Sequence, residues 1–351
     1  MANWPDVLSR LIDGDDLTAA ETRWALAEVM EERATPAQLA GFLVGLRAKG
    51  ESAEEVAGLV QAMLEHAAPI EIAGPVVDVV GTGGDGSDSV NLSTMAALVV
   101  AAAGHRVVKH GNRAASSRTG SADLLEALGV RLDLDPQQVA HVAETAGITF
   151  CFAPVFHPAM RHAGPTRREL GVPTVFNILG PLANPSRPQA MAVGCADVRL
   201  APVMAEVLGS RGVTAVVVRG DDGMDELSTV ATSTVWRWID GRVISEQIDA
   251  ASLGLPRSVA GDLAGGDPAH NATIARAVLG GEPGPVADAV ALNAAAAIAA
   301  AVAEGSGGWG DRSFADWLAE ALPVAQAALA AGEGAAVLER WVAATMQAAT
   351  A

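Results

Sequence analysis

The chain has no tyrosine, only two cysteines and few aromatic residues (4%). Lys and Arg total 23 against 41 acids in 351 residues. Each shortage excludes something. Cys151 and Cys195 lie far apart and neither belongs to a C-x-x-C pair. That excludes a disulfide framework and a zinc site, and reads as two buried thiols of a reducing compartment. A net charge of -18 repels phosphate polymers, and a nucleic-acid partner would need a local basic patch large enough to overcome it. No nucleic-acid partner is expected. The opening MANWPDVLSRLIDGDDL carries acids early and no apolar stretch of the kind a secretion signal uses. The most apolar run, Ala289 to Ala303, contains Asn293 and falls short of the roughly 20 apolar residues of a bilayer span. It reads as a core helix, and the expectation is a cytoplasmic protein with no membrane partner. Half the residues are apolar and 18% are charged, a composition suited to a compact α/β or α fold rather than to disorder.

The first 74 residues read as helices alone. Apolar residues recur at three-four spacing in PDVLSRLIDG and TAAETRWALAEVMEE. Asp16 or Thr18 can cap the second of these, Thr35 precedes Pro36 at a third start, Gly50 closes that helix, and Ser52 opens a fourth. At Pro75 the pattern changes. VVDVV, RVVKHG, ITFCFAP, QAMAVGC and AVVVRG are strand-like and alternate with helical runs; VRLDL (130–134) offers a further strand. That alternation predicts a largely parallel sheet with crossover helices. WRWIDGRVISEQI reads as antiparallel ribbon, and the chain ends in helix. The predicted fold class is α/β: a small helical N-terminal domain, 1–74, and a large α/β domain, 75–351, with a central, mostly parallel sheet.

Four stretches carry chemistry. VVDVVGTGGDGSDSVNLST (76–94) is a buried strand, a glycine loop and a helix start. Gly81, Gly83 and Gly86 satisfy G-x-G-x-x-G, but the acid a dinucleotide fold places about 20 residues on is missing. Lys109, His110 and Arg113 occupy that region, and no G-K-[ST] follows to make a Walker loop. Asp85, Asp88, Asn91, Ser93 and Thr94 instead suit a phosphate-rich ligand carrying metal. Backbone amides of Gly83 and Gly84 can cradle phosphate, and hard oxygens are what Mg²⁺ takes. KHGNRAASSRTGSADLLEALG (109–129) again joins strand to helix, with Lys109 as a point charge and Asn112, Ser117 and Ser121 as neutral donors. Two such loops after consecutive strands would line one crevice. In GDDGMDELS (220–228), Asp225 and Glu226 can share a cation held mostly by phosphates; an ordinary helix start favours the same acids. The run 157–188 clusters Arg161, Arg167 and Arg168 with His157 and His162 in an otherwise acidic chain.

The signatures GTGGD, N-x-ST, KHGNRAASSRTGSADLLEALG, HPAMRHAGPTRRELGVPTVFNILGPLANP and DDGMDEL run in order through almost the whole chain. Together they resemble the anthranilate phosphoribosyltransferase family. The resemblance implies a nucleoside phosphorylase/phosphoribosyltransferase fold whose helical domain is joined in space by helices from about 165–190, with the active site at the hinge. It implies a homodimer, possible contact with anthranilate synthase, and two Mg²⁺ per subunit. Gly81, Thr82, Gly83, Gly84, Asp85, Ser89, Asn91, Ser93, Thr94, Lys109, Ser117 and Ser121 fall on its phosphoribosyl diphosphate positions. Gly81, His110, Asn112, Pro154, His157, Met160, Arg167, Gly180 and Pro181 match its anthranilate path, with Arg167 facing the carboxylate. Ser93 would contact one Mg²⁺, and Asp225 with Glu226 would hold the second. Leu92 replaces the usual Ile or Val, and Arg219 stands where His is common.

The implied reaction moves a 5-phosphoribosyl group from 5-phospho-α-D-ribose 1-diphosphate to the amine of anthranilate. A neutral aryl amine needs no strong base, which agrees with the lack of a nucleophile-base motif. A pyrimidine nucleoside phosphorylase would carry a different glycine loop and no acidic metal pair. A silent nucleic-acid-binding relative would have lost the metal acids and gained a basic surface.

Overall fold

A computed structural model describes residues 2–114 and 117–350. Four helices open it: α1 (Trp4–Asp13), α2 (Ala19–Met30), α3 (Pro36–Lys49) and α4 (Ala53–Glu65). Thr18, Thr35 and Ser52 each close a capping box, with Glu21, Gln38 and Glu55. Each box satisfies amides that a helix start leaves orphaned. Of the two residues able to cap α2, Thr18 does so.

Strand and helix then alternate through β1 (Val77–Gly81), α5 (Leu92–Ala102), β2 (Val107–Gly111), α6 (Ser121–Leu128), α7 (Pro136–Ala146) and β3 (Ile148–Phe152). The short α8 (Ala153–Phe156), a 3₁₀ turn (Pro158–Ala163), α9 (Gly164–Leu170) and α10 (Phe176–Leu182) follow. They lead to β4 (Ala190–Gly194), α11 (Ala201–Ser210) and β5 (Thr214–Gly220). The hairpin β6 (Ser233–Ile239) and β7 (Arg242–Ile248) comes next, turning at Asp240-Gly241, where both residues have positive φ as a tight hairpin requires. The helices α12 (Pro268–Leu279), α13 (Pro285–Gly305), α14 (Phe314–Ala330) and α15 (Glu333–Ala348) complete the chain.

One seven-stranded sheet runs β3-β2-β1-β4-β5-β6-β7. Pairings from β3 through β5 are parallel, and those of β6 are antiparallel. The strand order reverses between β1 and β4, so a crevice opens at their carboxyl ends. Side chains alternate between two cores. Val77 and Val79 of β1, Ala190 and Ala192 of β4, and Val216 and Val218 of β5 pack under α5 and α13. Val80, Met191, Val193, Ala215 and Val217 face the other way, into a core shared with α1–α4, α10 and α11. That second core also takes Ala163 and Val175 to Ala183, so the chain between β3 and β4 packs on the helical bundle. Arg47 of α3 pairs with Asp197, just after β4, at 2.9 Å.

VRLDL does not become a strand. Val130, Leu132 and Leu134 are buried and Arg131 and Asp133 exposed, so the alternation is there. No neighbouring strand offers a ladder, and the Arg131 N–H donates to Thr345 Oγ1 of α15 instead. α13 is long and apolar enough to cross a membrane, but most of it is buried between α5, α14 and the sheet. Its Asn293 donates to and accepts from the backbone of Leu227. The amide that breaks the apolar run thus anchors the acidic loop after β5.

Candidate active site

β1 delivers Gly81 to the sheet edge, and the loop turns through Gly83, Gly84 and Gly86, all at positive φ. The acidic loop after β5 crosses directly over it. A Cβ on Gly81 would lie 2.3 Å from Asp225 Oδ2, and one on Gly194 at the end of β4 would lie 1.5 Å from the Asp225 carbonyl oxygen. Only glycine permits that approach. The Gly83 N–H donates to Asp225 Oδ2 at 2.7 Å. The Gly83 amide is thus tied to the acidic loop. Thr82 joins the adjoining turn, donating its N–H to Gly194 O and accepting from Ala196 N–H through Oγ1. Arg219 Nε donates to Ala196 O, so this side chain ties loops together where the family often has histidine.

Asp85, Asp225 and Glu226 each place a carboxylate oxygen within 4.8 Å of the others. Asp85 Oδ2 and Glu226 Oε2 are buried and have no hydrogen-bond partner among the described residues. Three converging hard oxygens, two of them unpartnered, fit a divalent cation. Burial, then the neighbouring Asp85, pushes Asp225 up to about 6; burial and Asp225 push Glu226 well above the carboxylate range. Like charges held this close favour a counter-ion or a shared proton. Asp85, which the sequence offers for a metal-carrying ligand, stands here with Asp225 and Glu226. Ser93 stands apart: its Oγ accepts from Lys109 Nζ at 3.2 Å.

Lys109 is buried on β2, and its Nζ also donates to Val79 O. Burial draws this ammonium down to about 8, opposed by Asp78, Glu226 and Asp225. Asp78 was not flagged from sequence. It is fully buried on β1 and accepts from the His110 N–H at 3.2 Å and from Asn184 Nδ2 at 2.9 Å. Burial raises its carboxyl to about 6. A carboxylate inside the run VVDVV was the available signal, because a buried charge demands partners. Asn184 and Asn271 gave no local signal.

His110 and His157 stack edge to face, 5.1 Å between ring centroids. His110 Nδ1 bonds the Gly180 carbonyl at 2.8 Å, and His157 Nε2 bonds that of Ala183 at 2.9 Å. A carbonyl only accepts, so both nitrogens carry hydrogen. His110 Nε2 is left without a hydrogen-bond partner among the described residues. Burial, then His157, lowers His110 to about 3. A Cβ on Gly180 would meet no atom within 4 Å, so α10 opens onto unfilled space there. Pro181 is buried beside it, Pro154 is exposed on α8, and Met160 packs against the helical core. Exposed Arg167 on α9 lies over the Phe176 ring at 5.2 Å.

The remaining expected residues divide. Ser89 bridges to Ala264, Thr94 Oγ1 is buried without a partner, and Ser121 Oγ donates to Asn112 O. Ser117 is exposed, and the two residues before it lie outside the described ones. Asn91 is held by protein on both sides, at Thr119 and Asn271. The basic run does not converge: His162 pairs with Glu32, His157 is buried at Ala183, and Arg161 and Arg168 point to no shared partner among the described residues.

The chain matches two family models, the helical bundle domain of a glycosyl transferase family over 5–67 and its a/b domain over 73–335. It is 55% identical to the anthranilate phosphoribosyltransferase of a Nocardioides species over 98% of this chain and 99% of that one. Among solved structures it resembles that of the Thermus thermophilus enzyme of the same name, with TM-score 0.89, 44% identity, and coverage of 97% and 99%. It also resembles the Saccharomyces cerevisiae enzyme in complex with PRPP and Mg, with TM-score 0.85, 26% identity and coverage of 98% of both chains. Fold, full-length identity and family models agree, and the chain belongs to the anthranilate phosphoribosyltransferase family.

Proposed function

We propose that this chain transfers the 5-phosphoribosyl group of 5-phospho-α-D-ribose 1-diphosphate to the amine of anthranilate, the second step of tryptophan synthesis from chorismate. The products are N-(5-phosphoribosyl)anthranilate and diphosphate. One observation carries the reading: the glycine loop, the Lys109–Ser93 pair and the Asp85, Asp225 and Glu226 carboxylates meet at the carboxyl edge of β1, β2 and β5. His110, the next residue along β2, turns to the opposite face of the strand, toward α10 and His157.

The amine nitrogen attacks C1 as the bond from C1 to the diphosphate oxygen breaks. The nitrogen then loses its extra proton to solvent. A transition state of this kind is oxocarbenium-like, so neutralising the leaving group is the main burden. Mg²⁺, when bound, supplies Lewis-acid charge to the diphosphate. Asp85, Asp225 and Glu226 would hold one ion and Ser93 would contact a second, giving two per subunit. Lys109 adds a fixed positive charge beside Ser93. Arg167 binds the anthranilate carboxylate, the free acceptor nitrogen of His110 can orient an amine hydrogen, and His157 packs against that ring. Asn112, Pro154, Met160, Gly180 and Pro181 would complete that path.

The helical domain spans residues 1–74 and is joined in space by the helices from about 165–190. The packing of Val175, Ile178, Leu179 and Leu182 in one core with α1–α4 supports that grouping. A cytoplasmic homodimer, in contact with whatever enzyme supplies anthranilate, completes the proposal. The test is loss of anthranilate fluorescence on mixing with donor and Mg²⁺. Fluorescence that persists in the full mixture refutes it.

A further inference from the structure

Four residues from three segments close a ring of hydrogen bonds behind the two phosphate loops. Asn91, at the start of α5, donates through Nδ2 to Thr119 O at 2.9 Å. Thr119, just before α6, donates through Oγ1 to Gly266 O at 2.7 Å. The Gly266 N–H donates to Asn271 Oδ1 at 2.7 Å, and Asn271 Nδ2 donates to Asn91 Oδ1 at 2.9 Å. Thr119 and Asn271 are buried, 5% and 2% exposed.

The direction of every bond is forced. The Thr119 carbonyl accepts only, so it fixes which end of the Asn91 amide faces it. That turns Asn91 Oδ1 toward Asn271, which must then present its NH₂ and keep its oxygen for the Gly266 N–H. Two backbone groups therefore set two side-chain amides, with no flipped arrangement that satisfies all four. The same segment holds the glycine loop by its backbone. The Val90 N–H donates to Leu263 O at 2.9 Å, and the Gly265 N–H donates to Asp88 O at 2.8 Å. A Cβ on Gly265 would lie 2.6 Å from Ser89 O, so the two chains touch.

We infer that Thr119 and Asn271 are positioning residues that clamp the glycine loop and the serine loop to each other. The ring fixes the helix starts of α5 and α6, which must face one phosphoribosyl diphosphate together. This rests on the phosphoribosyl diphosphate reading above. Neither residue needs to touch substrate. Their loss lets the two loops drift apart while each keeps its own fold.

The test compares the full chain with Thr119→Val, Thr119→Ser and Asn271→Ala. Calorimetric titration with phosphoribosyl diphosphate and Mg²⁺ gives Kd, and steady-state rates give KM for each substrate. Thr119→Val keeps volume but orphans the buried Gly266 carbonyl, and about a tenfold rise in Kd and KM for the donor is expected. Thr119→Ser restores the hydroxyl and holds donor affinity within about threefold of wild type. The KM for anthranilate changes less than about twofold in either variant. Should Asn271→Ala fail to fold, the Thr119 pair decides. Equal changes for both substrates, or a serine variant as weak as the valine one, overturn the clamp. Wild-type chain that binds the donor but forms no product refutes the enzymatic reading, while the binding series still judges the clamp. Wild-type chain that binds no donor overturns both.

Discussion

Gly81 and Gly194 both touch Asp225, and replacing each with alanine separates chemistry from folding. At Gly81 the new methyl would sit 2.3 Å from Asp225 Oδ2 and 3.2 Å from Cγ. That oxygen is the acceptor of the Gly83 N–H. The carboxylate is the end of a side chain and can rotate, so the fold survives. The cost is a charge-assisted hydrogen bond of roughly 1.5–3 kcal/mol and a ligand turned away from Asp85 and Glu226. Gly81 does not have positive φ, so alanine strains no backbone there and recovers up to about 1 kcal/mol through the unfolded state. At Gly194 the methyl would lie 1.5 Å from the Asp225 backbone oxygen, which no rotamer relieves. The loop itself must move, at about 3 kcal/mol or more. The assay is anthranilate fluorescence loss during a Mg²⁺ titration at fixed donor, with thermal melts alongside. Gly81→Ala should lower the melting temperature by only about 2–4 °C and raise the Mg²⁺ midpoint about tenfold or more. Gly194→Ala should melt several degrees lower. A wild-type Mg²⁺ midpoint in Gly81→Ala, or wild-type stability in Gly194→Ala, refutes the reasoning.

Arg167→Ala should raise the KM for anthranilate about tenfold while the donor KM stays within about twofold; equal changes in both would remove its carboxylate role. Asp225→Asn combined with Glu226→Gln should lose activity that excess Mg²⁺ only partly restores, and Asp85→Asn alone should shift the Mg²⁺ midpoint upward; unchanged metal dependence counts against the triad. Burial keeps His110 neutral down to about 3 in the fold, whereas an unfolded imidazole takes its proton near 6.5. The unfolded chain therefore binds more protons in that window, and the contribution is complete above about 6.5 and lost as pH falls through it. His110→Gln should flatten the decline of melting temperature on acidification; an unchanged slope contradicts a buried neutral ring.

The helical starts were legible because capping is local: Thr18, Thr35 and Ser52 reach only three residues ahead. The parallel sheet was legible from its alternation with helices, and the glycine loop from its position after β1. VRLDL shows the limit of local pattern. Its alternation places three side chains in the core, but whether a ladder exists depends on a distant neighbour, here α15. The site shows the same limit. Asp225 and Glu226 were visible as adjacent acids, but the addition of Asp85 and the capture of the Gly83 amide depend on two loops crossing. The charges of 157–168 are close in sequence but take separate partners, His162 at Glu32 and His157 at Ala183, which no local pattern reveals. Asn184, Asn271 and Asn293 carry no pattern of their own. Each acts on backbone or side chains more than 60 residues away or across a turn, which a single sequence does not reveal.

Diphosphate release, followed with and without anthranilate in the presence of donor and Mg²⁺, tests the central claim most directly. The predicted result is release only when anthranilate is present, one diphosphate for each anthranilate consumed. Release that ignores anthranilate, or anthranilate left intact while donor is spent, would contradict phosphoribosyl transfer at this site.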